Sequence, residues 1–256
     1  MLFLADVFGV PGRRAVEEHL TSLRERYDAD LAIVNGENAA DGAGITAKLA
    51  DKLLASGADV VTLGNHTYRR GGIASYLAGS ERVIRPANSG AQAPGHGLAV
   101  VEARNGVRVA VLNLLGQLFL STPVSPWEMV DELVDEARAA APVVVVDFHA
   151  EATSEKVAMA TWLDGRVTAV IGTHTHIQTN DARVLPGGTA AVTDAGMTGP
   201  HDSVIGVRSE LAISRMRTRL PVRFEPAEGD VRLEGVLLAC TDTGRAEAIE
   251  LVRIQV

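Results

Sequence analysis

Five apolar runs in the first 180 or so residues are each followed by side chains that can bind a cation. These side chains are carboxylates, amides and imidazoles, namely Asp6, Glu37, Asn38, Asn65, His149, His174 and His176. Parallel strands in α/β proteins place ligand-binding residues at their carboxyl ends, so we expect these groups to meet at one edge of a sheet. Imidazole nitrogen with carboxylate and amide oxygen, and without thiolate, favours Fe, Mn, Zn or Ni.

Seven candidate ligands are more than one ion needs, so a pair of ions that share a bridging carboxylate accounts for them better. Glu37 is the best candidate for that bridge. In such centres the ions lie about 3.5–4 Å apart and hold a water between them as hydroxide near neutral pH. The hydroxide would attack phosphorus in line with the leaving oxygen. The pattern therefore predicts a metal-dependent phosphoesterase.

Each motif also has a purely structural interpretation. Asp6 is equally well a helix cap, and the segment 35–38 is equally well a turn. His174 and His176 are a stronger signal, because alternate residues of an extended segment face the same way, although both could face solvent. Four of the seven histidines follow predicted strands beside Asp, Glu and Asn, which favours a shared site.

The remaining three histidines carry less weight. We expect His19 to be exposed on a helix and His96 to be solvated in a glycine-rich loop. His201 follows a loop rich in turn residues, and contact with a substrate or a plain surface position are equally compatible with it.

The elements that must position these residues alternate between strand and helix in the first half of the chain. Apolar runs predict strands at 2–5, 31–34, 59–63, 98–103, 107–112, 143–146 and 167–171. Helical spacing predicts helices at 13–27, 46–56 and from Pro126. Later strands are predicted at 190–193, 210–215, 232–240 and 246–254. The fold class is therefore α/β, with two mixed β-sheets packed face to face and flanked by helices.

Composition agrees with a single globular domain over residues 1–256, with 46% hydrophobic and 22% charged residues. The single cysteine, Cys240, excludes an internal disulfide framework, and we expect it to be a buried, inert thiol. The N-terminus lacks the features of a signal peptide, and no apolar run approaches about 20 residues. We therefore expect a soluble cytoplasmic protein without a membrane partner.

The formal net charge of −8 argues against stable binding to nucleic acid, which needs a basic face. It does not exclude a phosphate substrate, because two bound cations would make the site locally positive.

The ordered motifs resemble those of the calcineurin-like metallophosphoesterase superfamily. The matching stretches are 5–9, 35–38, 64–67, 148–149 and 172–176. Two positions depart from the superfamily pattern: Phe8 replaces a usual histidine, and Glu37 replaces a usual aspartate. Both departures, together with the segments 35–40, 44–46 and 194–199, are similar to a bacterial 2′,3′-cyclic-nucleotide 2′-phosphodiesterase-like group over nearly the whole chain.

That resemblance implies two mixed sheets flanked by helices and a role for each site residue. One metal would be held by Asp6, Glu37, Asn38 and His176, and the other by Glu37, Asn65, His149 and His174. His66 would be the general acid, a role that suits an imidazole near neutral pH. Iron is the implied metal, with manganese, zinc and others as alternatives. The implied substrate is a small phosphodiester or nucleotide, and a homo-oligomer is the implied assembly.

Three alternatives stay open at this point. A phosphomonoesterase or protein phosphatase would use the same metals. A regulatory protein could bind the metals and turn substrates over only incidentally, although His66 favours catalysis. A nucleotide-binding module would hold no metal at all.

Overall fold

The computed structural model describes residues 1–256 and contains two mixed β-sheets and six helices. In chain order the elements are β1 (Leu2–Leu4), α1 (Gly9–Arg26), β2 (Ala32–Asn35), α2 (Ala47–Ala55), β3 (Val60–Thr62), α3 (Ile73–Ala78), β4 (Val83–Ile84), β5 (Leu98–Glu102), β6 (Arg108–Leu115), α4 (Pro126–Ala140), β7 (Val143–His149), α5 (Thr153–Trp162), β8 (Ala169–Thr173), β9 (Arg183–Val184), β10 (Ala190–Val192), β11 (Gly199–Pro200), α6 (Ser209–Thr218), β12 (Val231–Cys240) and β13 (Ala246–Gln255).

The first sheet has the order β11-β12-β1-β2-β3-β4, with β13 paired to β12. Its strands β1 to β4 are mutually parallel, and β12 runs antiparallel to β1. The second sheet has the order β5-β6-β7-β8-β10-β9, in which β6, β7, β8 and β10 are parallel. Each sheet therefore presents the carboxyl ends of its central strands at a single edge.

The two sheets pack face to face through a cluster of buried apolar side chains. Phe3 and Ile33 of the first sheet belong to the same cluster as Val111 and Val145 of the second. The opposite face of the first sheet packs on α1 and α2, and that of the second packs on α4 and α5. The predicted fold of two mixed sheets flanked by helices is confirmed.

Some element boundaries differ from the predictions. The segment 210–215, predicted as a strand, lies within helix α6. The prediction was wrong because α6 buries only Ala212 and leaves Ile213 and Met216 exposed, so it lacks the broad apolar stripe by which a packed helix is identified from its sequence. Helix α1 begins at Gly9 rather than residue 13, because Pro11 is tolerated in a first helical turn.

Two further features bear on the sequence predictions. No helix in the structure combines the length and the apolar character needed to cross a membrane. Cys240 is only partly buried, and burial raises the pKa of its thiol.

Candidate metal centre

The structure places all seven predicted ligands and His66 at the carboxyl ends of strands. Asp6 follows β1, and His149 is the last residue of β7. The others follow β2, β3 and β8, namely Glu37, Asn38, Asn65, His66, His174 and His176. The predicted convergence is observed, because hydrogen-bond distances link these side chains across the two sheets.

One cluster of donor atoms surrounds Nε2 of His149. This nitrogen lies 3.0 Å from Oε1 of Glu37, 3.1 Å from Oδ1 of Asn65 and 3.1 Å from Nδ1 of His174. Ligand atoms of Glu37, His149 and His174 all lie within 4.8 Å of one another. Four polar atoms thus share a small, largely buried volume.

A second cluster lies beside the first and consists of Asp6, Asn38 and His176. Nε2 of His176 lies 3.0 Å from Nδ2 of Asn38 and 3.7 Å from Oδ1 of Asp6. The backbone N–H of His174 donates to Oδ2 of Asp6 at 3.2 Å, so the two clusters are joined directly.

His66 lies between the two clusters. Its Nδ1 is 2.9 Å from Oδ1 of Asn38 and 3.3 Å from Oε1 of Glu37, and its backbone N–H donates to Oε2 of Glu37 at 3.0 Å. The His66 side chain is 26% exposed, whereas that of Glu37 is 1% exposed. His66 therefore lines the open cavity of about 470 Å³ above the buried donors.

The loop after β8 reaches both clusters by an unusual backbone path. His174 has φ 97° and His176 has φ 64°, both in the left-handed region that costs a non-glycine residue free energy. The expectation that the two side chains share a face of an extended segment is therefore wrong. The turn instead sends His174 to the Glu37 cluster and His176 to the Asp6 cluster.

Gly64 is required by the close packing of this centre. A Cβ at this position would clash with Oε2 of Glu37 and with the ring of His149. The glycine of the segment 64–67 thus lets the backbone approach two proposed ligands at once.

A buried chain of hydrogen bonds supports His149 from the side opposite Glu37. Nδ1 of His149 lies 2.9 Å from Oγ1 of Thr173, and that hydroxyl donates to Oδ1 of Asp147 at 2.6 Å. The other oxygen of Asp147 accepts from Asn35 and Thr62. All five residues are fully buried, so the imidazole ring is held in one orientation.

A buried ion pair supports the loop after β8. Nζ of Lys156 lies 2.8 Å from Oδ2 of Asp194, and both side chains are almost fully buried. The same oxygen accepts from the backbone N–H and the hydroxyl of Thr175, the residue between His174 and His176.

Burial and neighbouring charges shift the pKa values of the titratable groups in both clusters. Burial raises the pKa of Asp6 to about 6 and, with His149, lowers the pKa of His174 to about 3. Burial alone would raise the pKa of Glu37, but His149 and His66 hold it well below its usual value. Burial likewise opposes protonation of His149, yet Glu37 raises the pKa of that imidazole to about 9.

This donor set fits metal ions. Oε1 of Glu37 is buried and faces Nε2 of His149 at 3.0 Å and Nδ1 of His66 at 3.3 Å without a hydrogen bond of good geometry, so a bound cation would satisfy it. Lone pairs of imidazole, carboxylate and amide groups converge on the same volume, as they do in proteins that bind Fe, Mn or Zn. The prediction of a metal site is thus supported.

Several residues at the site were missed by the sequence analysis. Oε2 of Glu151 lies 2.9 Å from Nε2 of His174, and its position two residues after His149 was the available signal. Phe8, noted in the sequence only as the replacement of a usual histidine, meets the ring of His176 edge to face at 5.6 Å between ring centroids. The remaining apolar wall of the cavity includes Ile205, Val207, Phe224 and Pro226, which belong to no motif.

The three lesser histidines lie outside this constellation. His19 is partly rather than fully exposed on α1, and His96 is exposed as predicted. His201 pairs through Nε2 with the carbonyl of Met197 at 3.2 Å and does not line the cavity.

Comparison with known proteins places the chain among phosphoesterases. The family described as YmdB-like protein matches residues 2–252. A 2′,3′-cyclic-nucleotide 2′-phosphodiesterase from Bacillus subtilis is 47% identical over 255 residues, covering 99% of this chain and 96% of the relative. A hypothetical protein from Thermus thermophilus superposes with a TM-score of 0.92 at 40% identity, covering 99% of this chain and 98% of that one. A phosphatase from Mycoplasma pneumoniae gives a TM-score of 0.91 at 34% identity, with coverage of 99% and 92%.

Proposed function

Because the chain belongs to the YmdB-like protein family, we propose that it hydrolyses small phosphodiesters, with 2′,3′-cyclic nucleotides as substrates, at a centre of two metal ions. The observation that carries this proposal is the convergence of seven donor side chains, Glu37 among them, into two adjoining clusters. The predicted superfamily and the predicted hydrolase class are confirmed by the curated phosphodiesterase and the solved phosphatase.

We assign the ligands by cluster, with Glu37 shared between the two ions. Asp6, Asn38 and His176 complete the first site, and Asn65, His149 and His174 complete the second. Iron is the proposed metal. When bound, two such ions supply Lewis-acid stabilisation of the phosphoryl charge and activate a water as nucleophile.

His66 is the proposed general acid. Its Nδ1 faces Asn38 and Glu37, while no group of the chain hydrogen-bonds its Nε2. As the oxygen of a hydroxide, formed from water by loss of a proton to solvent, bonds to phosphorus, the bond from phosphorus to the 2′ oxygen breaks, and Nε2 of His66 gives its proton to that oxygen. The product is a nucleoside 3′-phosphate.

The charges around the cavity favour a diester over a monoester. Asp41, Glu151 and Glu225 line the cavity with Glu37, and no lysine or arginine does. A phosphomonoester carries up to two negative charges near pH 7, and beyond the metal ions no cationic side chain lines the cavity to pair with the additional charge. A cyclic diester carries one charge, and its base can pack on Phe224 and Ile205, which are 42% and 48% exposed.

The test is a comparison of kcat/KM for 2′,3′-cyclic AMP, bis-p-nitrophenyl phosphate, p-nitrophenyl phosphate and a phosphopeptide. We expect the two diesters to be turned over with at least about a tenfold advantage, equivalent to roughly 1.4 kcal/mol in the transition state. Hydrolysis of 2′,3′-cyclic AMP should give adenosine 3′-monophosphate, which has a free 2′ hydroxyl. A preference for either monoester would contradict the proposal and favour the phosphatase alternative.

A further inference from the structure

A second polar cavity lies at the end of the second sheet opposite the metal centre. It has a volume of about 310 Å³ and lies where β7 and β8 begin. His149 lies five positions after Val144 on β7, a distance of about 16 Å along an extended strand. The cavity is thus separate from the site of the proposed hydrolysis.

The charge of this cavity is opposite to that of the chain as a whole. Arg138, Arg166 and Arg245 line it, and no aspartate or glutamate does. Four other surface cavities each include at least one carboxylate. In a chain of net charge −8, three arginines from α4, the loop before β8 and the turn before β13 form a local basic site.

The arginines keep hydrogen-bond donors available. The side chain of Arg138 makes no ion pair or hydrogen bond within the chain, and the side chain of Arg245 makes only a long contact of 3.4 Å to the carbonyl of Gly187. Arg166 pairs through one nitrogen with Asp131, which Trp162 also contacts. The negative end of the α4 dipole, equivalent to about half a charge, also lies here and is outweighed by the guanidinium charges of Arg138 and Arg245, which have no ion pair.

The floor of the cavity adds a neutral donor. Thr168 is 1% exposed and accepts from the backbone N–H of Val144 at 3.0 Å, while its hydroxyl proton has no acceptor within the chain. The absence of a side chain at Gly188 leaves room for the guanidinium of Arg245 at the cavity, because a Cβ at position 188 would lie 2.9 Å from Cζ of that arginine. A buried hydroxyl and forked guanidinium groups are the donors that bind tetrahedral phosphate.

We propose that this cavity binds a phosphate group, either as inorganic phosphate or as a phosphate monoester, at a site separate from the catalytic one. The monoester produced by the proposed reaction belongs to this class of ligand. The inference stands on the arginine cavity alone and does not depend on the proposed function.

The test is isothermal titration of the metal-loaded protein with inorganic phosphate, in the wild type and in Arg138→Gln/Arg245→Gln. Phosphate bound at the metal centre contributes equally to both proteins, so their difference reports the arginine cavity. We expect the double variant to lose one phosphate per chain, or to bind it at least about tenfold more weakly. Equal stoichiometry and affinity in the two proteins would overturn the proposal.

Two further variants keep that test decisive. Arg104→Gln/Arg217→Gln removes the same charge from exposed positions elsewhere and should bind phosphate like the wild type. If it weakens binding as much as the cavity variant, overall charge explains the effect and the site is refuted. Should the cavity double variant not fold, Arg138→Gln alone decides the question in the same way, because Arg138 has no partner to lose.

The source of the phosphate is distinguished by competition. If adenosine 3′-monophosphate displaces the phosphate bound in the cavity, a phosphate monoester can occupy the site. If inorganic phosphate binds and the monoester does not displace it, the occupant is the free ion. Either result supports the site. Turnover of bis-p-nitrophenyl phosphate without added phosphate should be unchanged in the double variant.

Discussion

Oγ1 of Thr173 lies 2.9 Å from Nδ1 of His149. The Thr173 hydroxyl donates its proton to Asp147, so it can only accept from the imidazole. The proton of a neutral His149 is therefore held on Nδ1, and the lone pair of Nε2 is directed at Glu37, Asn65 and His174. The chain selects the tautomer that can bind a metal through Nε2.

Replacing Thr173 tests this relay. Thr173→Val keeps the shape of the side chain but removes the acceptor for His149, so we expect metal affinity at the second site to fall about 10–100-fold. Competition with a chelator of known affinity measures the change. Thr173→Ser keeps the hydroxyl and should retain near wild-type affinity. A loss in Thr173→Ser without a loss in Thr173→Val would show that the methyl packing matters rather than the hydrogen bond.

His66 can be tested separately from metal binding. We expect His66→Ala to lower kcat for a phosphodiester by about 10²–10⁴ while the metal content stays unchanged. The matched control is His96→Ala, because His96 is exposed and lies outside the cavity. An unchanged rate in His66→Ala would remove this residue from the role of general acid.

The apolar wall predicts a loss specific to the nucleotide base. Phe224→Ala should raise KM for 2′,3′-cyclic AMP about tenfold, since stacking of a base on an aromatic ring contributes about 1–3 kcal/mol. KM for a methyl phosphodiester without a base should change little. Phe119→Ala is the control, because Phe119 is 87% exposed and does not line the cavity. Equal effects on both substrates would exclude base recognition by Phe224.

Removal of the metals should make stability depend on pH through His149. Its folded pKa of about 9 exceeds the usual 6.5, so this imidazolium stabilises the metal-free fold fully below pH 6.5. That stabilisation is lost as pH rises through 9. Urea unfolding of chelated protein at pH 6.5 and pH 9 should show the decrease, and the metal-loaded protein should lack this contribution.

His149→Gln isolates this effect. The buried amino terminus of Met1, whose pKa is lowered by burial, changes stability in the opposite sense but does so equally in both proteins. The pH-dependent decrease should therefore be smaller in His149→Gln. Identical pH profiles would show that the Glu37–His149 pair does not stabilise the metal-free protein.

The sequence was sufficient to predict the donors because each one follows a strand, and parallel strands share their carboxyl edge. It did not predict how His174 and His176 reach separate clusters, since this depends on two left-handed backbone conformations. Glu151 and the Asp147–Thr173 relay were missed because their roles arise only when β7 and β8 pair. Helix α6 was misassigned because it packs almost nothing against the core.

The most direct test of the account is elemental analysis of the purified protein after loading with iron, for the wild type, His176→Ala and His149→Ala. We expect two iron ions per chain in the wild type and about one in each variant, because each substitution removes a ligand from a different cluster. A wild-type protein that binds no metal after reconstitution, or variants that both retain two ions, would contradict it.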